Sequence, residues 1–203
     1  MPKKRKAIPQ RLPAASYQHD VFVIQFPIVK QFIYHLTYYR ALLTEYSARG
    51  VQDEFWSLTI DAHLLRATIN WCMVFGSDNS NPIHWKKIFS APSEKLYSRF
   101  RSGLYKEIGL DAQEWKAYWT AMIDFRNRYA AHRDGEYTNP VPHFDPALAA
   151  AFHYDQWVRT VIAPIPLDEL PLKDFAESLR KAATPLAGKL LSVTRGSTGE
   201  QRK

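Results

Sequence analysis

Apolar residues recur at helical spacing along most of this chain. Between residues 28 and 48, Phe32, His35, Leu36, Tyr39, Leu42, Leu43 and Tyr46 fall on one face, with Gly50 just beyond, which predicts a first long helix. The preceding apolar run, 21–26, is stopped by Pro27 and reads as a strand or a lead-in. Leu58, Leu64, Leu65, Ile69, Met73 and Val74 predict a second helix over 53–75, capped by Asp53 and ended at Gly76. Residues 76–82 form a polar turn before a short helical patch at 84–88. Ser93 and Glu94 open a helix marked by Leu96, Phe100, Leu104 and Ile108, and Asp111 opens another through Trp115, Trp119, Met122, Arg126 and Tyr129. A loop at 140–146 leads to a helix carrying Ala149, Phe152, Trp157 and Val161. A proline-rich connection at 164–171 then precedes a last helical pattern over 174–191, which Pro185 is expected to kink or divide.

The expected fold is all-α: an irregular up-and-down helical bundle, one mainly helical domain over 15–193. A flexible basic tail at 1–14 and a polar tail at 194–203 flank it. The chain has 203 residues, 46% of them hydrophobic, which suffices for one sizeable core.

Charge changes the picture less than its total suggests. The net charge is +7, but Lys3, Lys4, Arg5, Lys6 and Arg11 lie before residue 12, and the body from 12 to 194 is balanced. Capture of a polyanion therefore belongs to the termini, and recognition by the body needs a local cluster. The segment Pro2-Lys3-Lys4-Arg5-Lys6 fits a nuclear-import signal in a host with a nucleus and equally fits a tail touching RNA. Cys72, the single cysteine, rules out an intramolecular disulfide and reads as a buried structural thiol. No 18-residue apolar run exists, so no membrane partner is expected and a cytoplasmic protein is.

The chemistry concentrates at Phe125-Arg126-Asn127-Arg128-Tyr129-Ala130-Ala131-His132. Arg126 interrupts an apolar stripe, and a guanidinium there needs a carboxylate, a phosphate or water, because an unpaired buried ion costs several kcal/mol. Arg126 can instead snorkel or pair with an acid while His132 ends the helix. A straight helix points Arg126 and His132 about 120° apart. Asp124, Arg128 and His132 form two successive i,i+4 links, a structural network that competes with any catalytic use. Asp61, on the second helix, is a supporting candidate whose plainer reading is a solvent-facing carboxylate.

The late-helix arrangement of Arg126, Asn127 and His132 resembles the HEPN superfamily, whose helical domains commonly carry an Arg followed, across Asn and several residues, by His. The specific match covers residues 126–132, and the bundle from 28 to 191 matches in outline. The resemblance implies a metal-independent endoribonuclease acting on RNA, often a homodimer, with defence and toxin–antitoxin proteins in the family. His132 would exchange protons with the ribose 2′-hydroxyl and the leaving 5′-oxygen, Arg126 would stabilise the phosphorane, and Asn127 would orient His132 or bind a phosphate oxygen. Other members are partners of nucleotidyltransferases, so a noncatalytic binding or regulatory protein, antitoxin-like or a nucleotidyltransferase partner, is the alternative.

Elsewhere the residues are less specific. His143 with Asp145 and His153 with Asp155 lack local third and fourth metal ligands. His84-Trp85-Lys86-Lys87 offers a ring and cations for a base and a phosphate, against the simpler expectation that Trp85 packs inside and the lysines face water. The aromatic stripes at 32–46 and 115–129 read as core. No phosphate-cradling glycine pattern, GxSxG context or HExxH motif occurs, so no cofactor is expected.

Overall fold

The structure is a computed structural model that describes residues 17–50, 52–161 and 169–197. Six α-helices are found there: α1 His19–Arg49, α2 Glu54–Phe75, α3 Glu94–Ile108, α4 Ala112–Phe125, α5 Asp145–Val161 and α6 Leu172–Ser197. A 3-10 turn, Trp85–Ile88, lies between α2 and α3, and α4 continues as a π-helical turn, Arg126–Ala131. Among the described residues no strand forms, and Tyr17 and Phe89 make an isolated antiparallel bridge. The basic segment 1–14 and residues 198–203 lie outside the described residues.

The run 21–26 is helical, which corrects its reading as a strand or lead-in. Phe22, Phe26, Val29, Phe32, Ile33 and Leu36 bury one continuous face of α1, so the apolar pattern begins two turns earlier than Pro27 suggested. Pro27 sits inside α1, and Val23, whose carbonyl loses the proline's missing N–H, is 47% exposed and open to water. Pro185 likewise does not divide α6, which runs on to Ser197, into the segment read as a polar tail.

The expected caps form. Asp53 accepts the Trp56 amide at 3.2 Å, Ser93 accepts Leu96 at 3.4 Å, and Asp111 with Glu114 completes a capping box.

Helix α1 packs along α2 and α6, α3 lies on α5, and α4 with its π turn lies on α2. One large aromatic core fills the space between, with Trp71, Phe100, Phe125 and Tyr154 at 0–1% exposure; a small cluster of Leu42, Ile60, Ala187 and Leu191 closes one end. A polar thread crosses this core: the Tyr154 hydroxyl donates to Gln25 at 2.8 Å, and the Gln25 amide donates to the His84 carbonyl at 2.8 Å. It ties α5, α1 and the 3-10 turn together with the buried Gln25 amide satisfied on both sides. Gly103 lets α3 approach α5, because a Cβ there would stand 2.5 Å from the His153 ring. No helix among the described residues is long and apolar enough to cross a membrane.

Candidate functional site

The conflict in the sequence between an apolar stripe and Arg126 is met by a change of helical register. After Phe125 the backbone widens to π geometry, with i→i+5 hydrogen bonds, through Ala131. Five-residue spacing sets Arg126 and Ala131 on the same side, and both line a cleft of about 630 Å³ against Cys72 and Met73 of α2 and the polar loop 77–83. His132, one residue later, is exposed and lies outside that lining. The turn closes with the Asp134 amide on the Arg128 carbonyl at 2.6 Å.

Arg126 is left without an anionic partner among the described residues. Its Nε is buried with no hydrogen-bond acceptor. The group beneath it is Cys72, whose thiol burial pushes up to about 12 despite the nearby guanidinium and its hydrogen bond. The thiol is therefore neutral near pH 7 and does not answer the charge. The other two arginines of this stretch are engaged. Arg128 Nε donates to Asp134 at 2.8 Å with its guanidinium 5.4 Å from the Tyr137 ring centre, and Arg133 pairs with Asp61 and lies 4.5 Å from the Tyr129 ring centre.

Three expectations change accordingly. The partner of Arg128 is Asp134, while Asp124 accepts Asn139 at 3.4 Å, and His132 joins neither, so the Asp124–Arg128–His132 network does not form. Asp61 is held by the late helix, accepting the Tyr129 hydroxyl at 3.2 Å as well as Arg133, and is not simply solvent-facing. Asn127 is exposed and makes no hydrogen bond to His132 among the described residues. Arg133 adopts φ +48°, a left-handed conformation that costs a residue with a Cβ roughly 1–2 kcal/mol. Its contacts to Asp61 and Tyr129 offset that cost and hold the chain just after His132.

The loop facing Arg126 is built, and nothing in the local pattern marked it as part of the site. Asn81 donates to the Met73 carbonyl at 2.8 Å and to Ser77 at 3.3 Å, and accepts the Ile83 amide at 3.1 Å. Ser77, Asn79 and Ser80 line the cleft beside it. Small hydroxyl and amide groups around one unpaired guanidinium suit an oxyanion such as a phosphate.

The other candidates have structural employment. Asp145 pairs with Arg40 at 2.5 Å, Asp155 with Arg159 at 2.8 Å and with the Leu172 amide at 3.0 Å, and His153 contacts the Phe100 carbonyl at 3.0 Å. No group of three or more His, Cys, Asp or Glu side chains gathers to hold a metal among the described residues. Trp85 is buried and stacked on Phe100 with ring centres 4.0 Å apart, and Lys87 is exposed. Comparison with family models, with curated proteins and with solved structures finds no match, so the site rests on its own geometry.

Proposed function

We propose that this chain is an HEPN-like, metal-independent endoribonuclease that works as a homodimer, with Arg126 binding the scissile phosphate and His132 transferring protons. The observation that carries the reading is the Arg126 guanidinium, unpaired beside a polar cleft while Arg128 and Arg133 are neutralised by Asp134 and Asp61. In the reaction, the ribose 2′-oxygen bonds to phosphorus as His132 takes its proton. The bond from phosphorus to the 5′-oxygen breaks, and that oxygen receives a proton from the protonated imidazole. Arg126 holds the extra negative charge of the five-coordinate phosphorus, where a pre-oriented guanidinium outperforms mobile water. The exposed His132, without a hydrogen bond among the described residues and outside its own chain's Arg126 cleft, supports a composite arrangement, in which the imidazole serves a phosphate held by a second copy.

The test is incubation of purified wild type, Arg126→Ala and His132→Ala with a mixed RNA pool in chelator, each protein checked for folding by circular dichroism. Cleavage by wild type, reduced by about 100-fold or more in each variant, is expected; equal cleavage by all three sinks the mechanism. A second reading, a noncatalytic binding or regulatory protein, draws on His132 lying outside the lining of the Arg126 cleft. It predicts no RNA turnover and a stable copurified partner that Arg126→Ala releases.

A further inference from the structure

A second cleft lies on the opposite side of the loop that faces Arg126. Helix α3 leans on α5 and α4 on α2, and the opening between α3 and α4 holds about 430 Å³, within the roughly 300–1,000 Å³ of small-molecule pockets. Its walls are half-buried aromatic rings, Tyr105 from α3 and Trp115 and Trp119 from α4, above a floor that includes the stacked pair Trp85 and Phe100. Trp119 is fixed in orientation, since its indole N–H donates to the Phe75 carbonyl at 2.8 Å. The Lys116 ammonium stands 5.8 Å from the Trp119 ring centre, over its π-face.

The charges have a definite balance. Lys86, Arg101 and Lys116 line the cleft against one carboxylate, Asp78. Lys86 holds Asp78 at 2.8 Å, and Arg101 reaches out to the exposed Glu94. Lys116 has no ion pair among the described residues. His84 adds no charge near neutral pH, because burial, opposed by Asp78 and reinforced by Lys86 and Lys87, lowers it to about 4. With Lys86 on Asp78 and Arg101 on Glu94, the charge of the lining left unopposed is that of Lys116, and a phosphate monoester, at roughly −1.5 to −2 near pH 7, would be met there by Lys116 with Lys86 and Arg101 beside it.

We infer that this cleft between α3 and α4 binds a nucleoside monophosphate unit, its base against Trp115 and Trp119 and its phosphate at Lys116, Lys86 and Arg101. Flat rings and cations in one pocket match a ligand that is itself flat at one end and dianionic at the other. Gly76 and Asp78 border this cleft while Ser77 and Asn79 border the Arg126 cleft, so a single loop separates the two. The assignment of this unit to an RNA strand rests on the ribonuclease reading; the chemistry of the pocket does not.

Isothermal titration of full-length His132→Ala with AMP, CMP, GMP and UMP tests the site, with adenosine and ribose 5-phosphate as half-probes. The mononucleotides are expected to bind, with each half-probe weaker by about tenfold or more, since stacking and phosphate contact each contribute on that order. Lys116→Glu, at an exposed position that leaves folding intact, is expected to weaken binding about tenfold, and Trp119→Ala by at least as much. No binding of any mononucleotide, or binding unchanged by both substitutions, overturns the inference. A 5′-phosphorylated trinucleotide that binds better than its unphosphorylated twin identifies an RNA end as the source; preference for the free mononucleotide identifies a metabolite. Mononucleotide binding without RNA turnover by wild type would remove the ribonuclease reading and leave this site standing, whereas turnover without binding would remove this site alone.

Discussion

Single residues in this protein announce problems whose solutions lie elsewhere in the chain. Arg126 in an apolar stripe demands a counter-charge or a ligand, and that much is legible from spacing. That its neighbour is a neutral Cys72, and that Asp61 and Asp134 are committed to Arg133 and Arg128, depends on side chains up to 72 residues apart. Asn70 poses a similar problem without an answer: it is fully buried, and neither its amide nitrogen nor its oxygen finds a partner among the described residues. A buried amide lacking hydrogen bonds is a net cost, so Asn70→Leu, which keeps the number of side-chain heavy atoms in a somewhat larger apolar shape, is expected to raise stability by about 1 kcal/mol, the gain being reduced by tighter packing. Denaturant unfolding of the two proteins would measure it, and a loss of stability would show that Asn70 is satisfied in solution.

At the scale of elements, boundaries were the most readable feature, because caps are local chemistry. Asp53, Ser93 and Asp111 each satisfy backbone amides of the turn they begin. Asp111→Ala removes the side-chain half of its capping box, leaving the backbone amide of residue 111 on Glu114, and is expected to cost about 1 kcal/mol, seen as a lowered thermal midpoint. An unchanged midpoint would mean that α4 is held by Trp119, Met122 and Phe125 alone. Prolines misled where caps did not: Pro27 and Pro185 suggest breaks, yet both helices continue because packing along their lengths outweighs one lost hydrogen bond. The π turn had only an indirect sign, the five residues between Arg126 and His132, which fit no straight α-helical face.

Across the whole molecule, one buried and three half-buried imidazoles make stability depend on acid. His35 and His63 approach Nδ1 to Nδ1 at 2.9 Å, so one donates and the other accepts, and a second proton would set two donors face to face. Burial lowers both, aided at His35 by His63 and Arg66; burial also lowers His153, and it lowers His84 to about 4. A histidine lowered in the folded state binds its proton more readily when unfolded. Its stabilisation is therefore full above the unfolded value near 6.5 and is lost as pH falls towards the folded value. The thermal midpoint is expected to drop progressively between about pH 6.5 and 4. A midpoint flat across that window would refute neutral burial of these groups. The proposed composite site belongs to this scale too. If His132 of one copy serves Arg126 of another, mixing Arg126→Ala with His132→Ala subunits should restore about a quarter of wild-type cleavage, because half the dimers are mixed and each holds one intact pair. No recovery after demonstrated subunit exchange would confine the site to one chain.

Local periodicity and capping residues were enough to determine that this chain makes an all-helical bundle, where most helices start and stop, and that Arg126 interrupts an apolar stripe. These follow from interactions within a turn or two, which a linear reading sees. Tertiary structure decided which arginine of the stretch 126–133 stays unpaired among the described residues, that loop 77–83 faces it, that Asp61 braces the turn, and that Trp115, Trp119 and Lys116 share a cleft with Lys86. Each of these depends on how far apart in sequence two groups can lie and still meet across the bundle, and side-chain spacing along one helix holds no information about its neighbour.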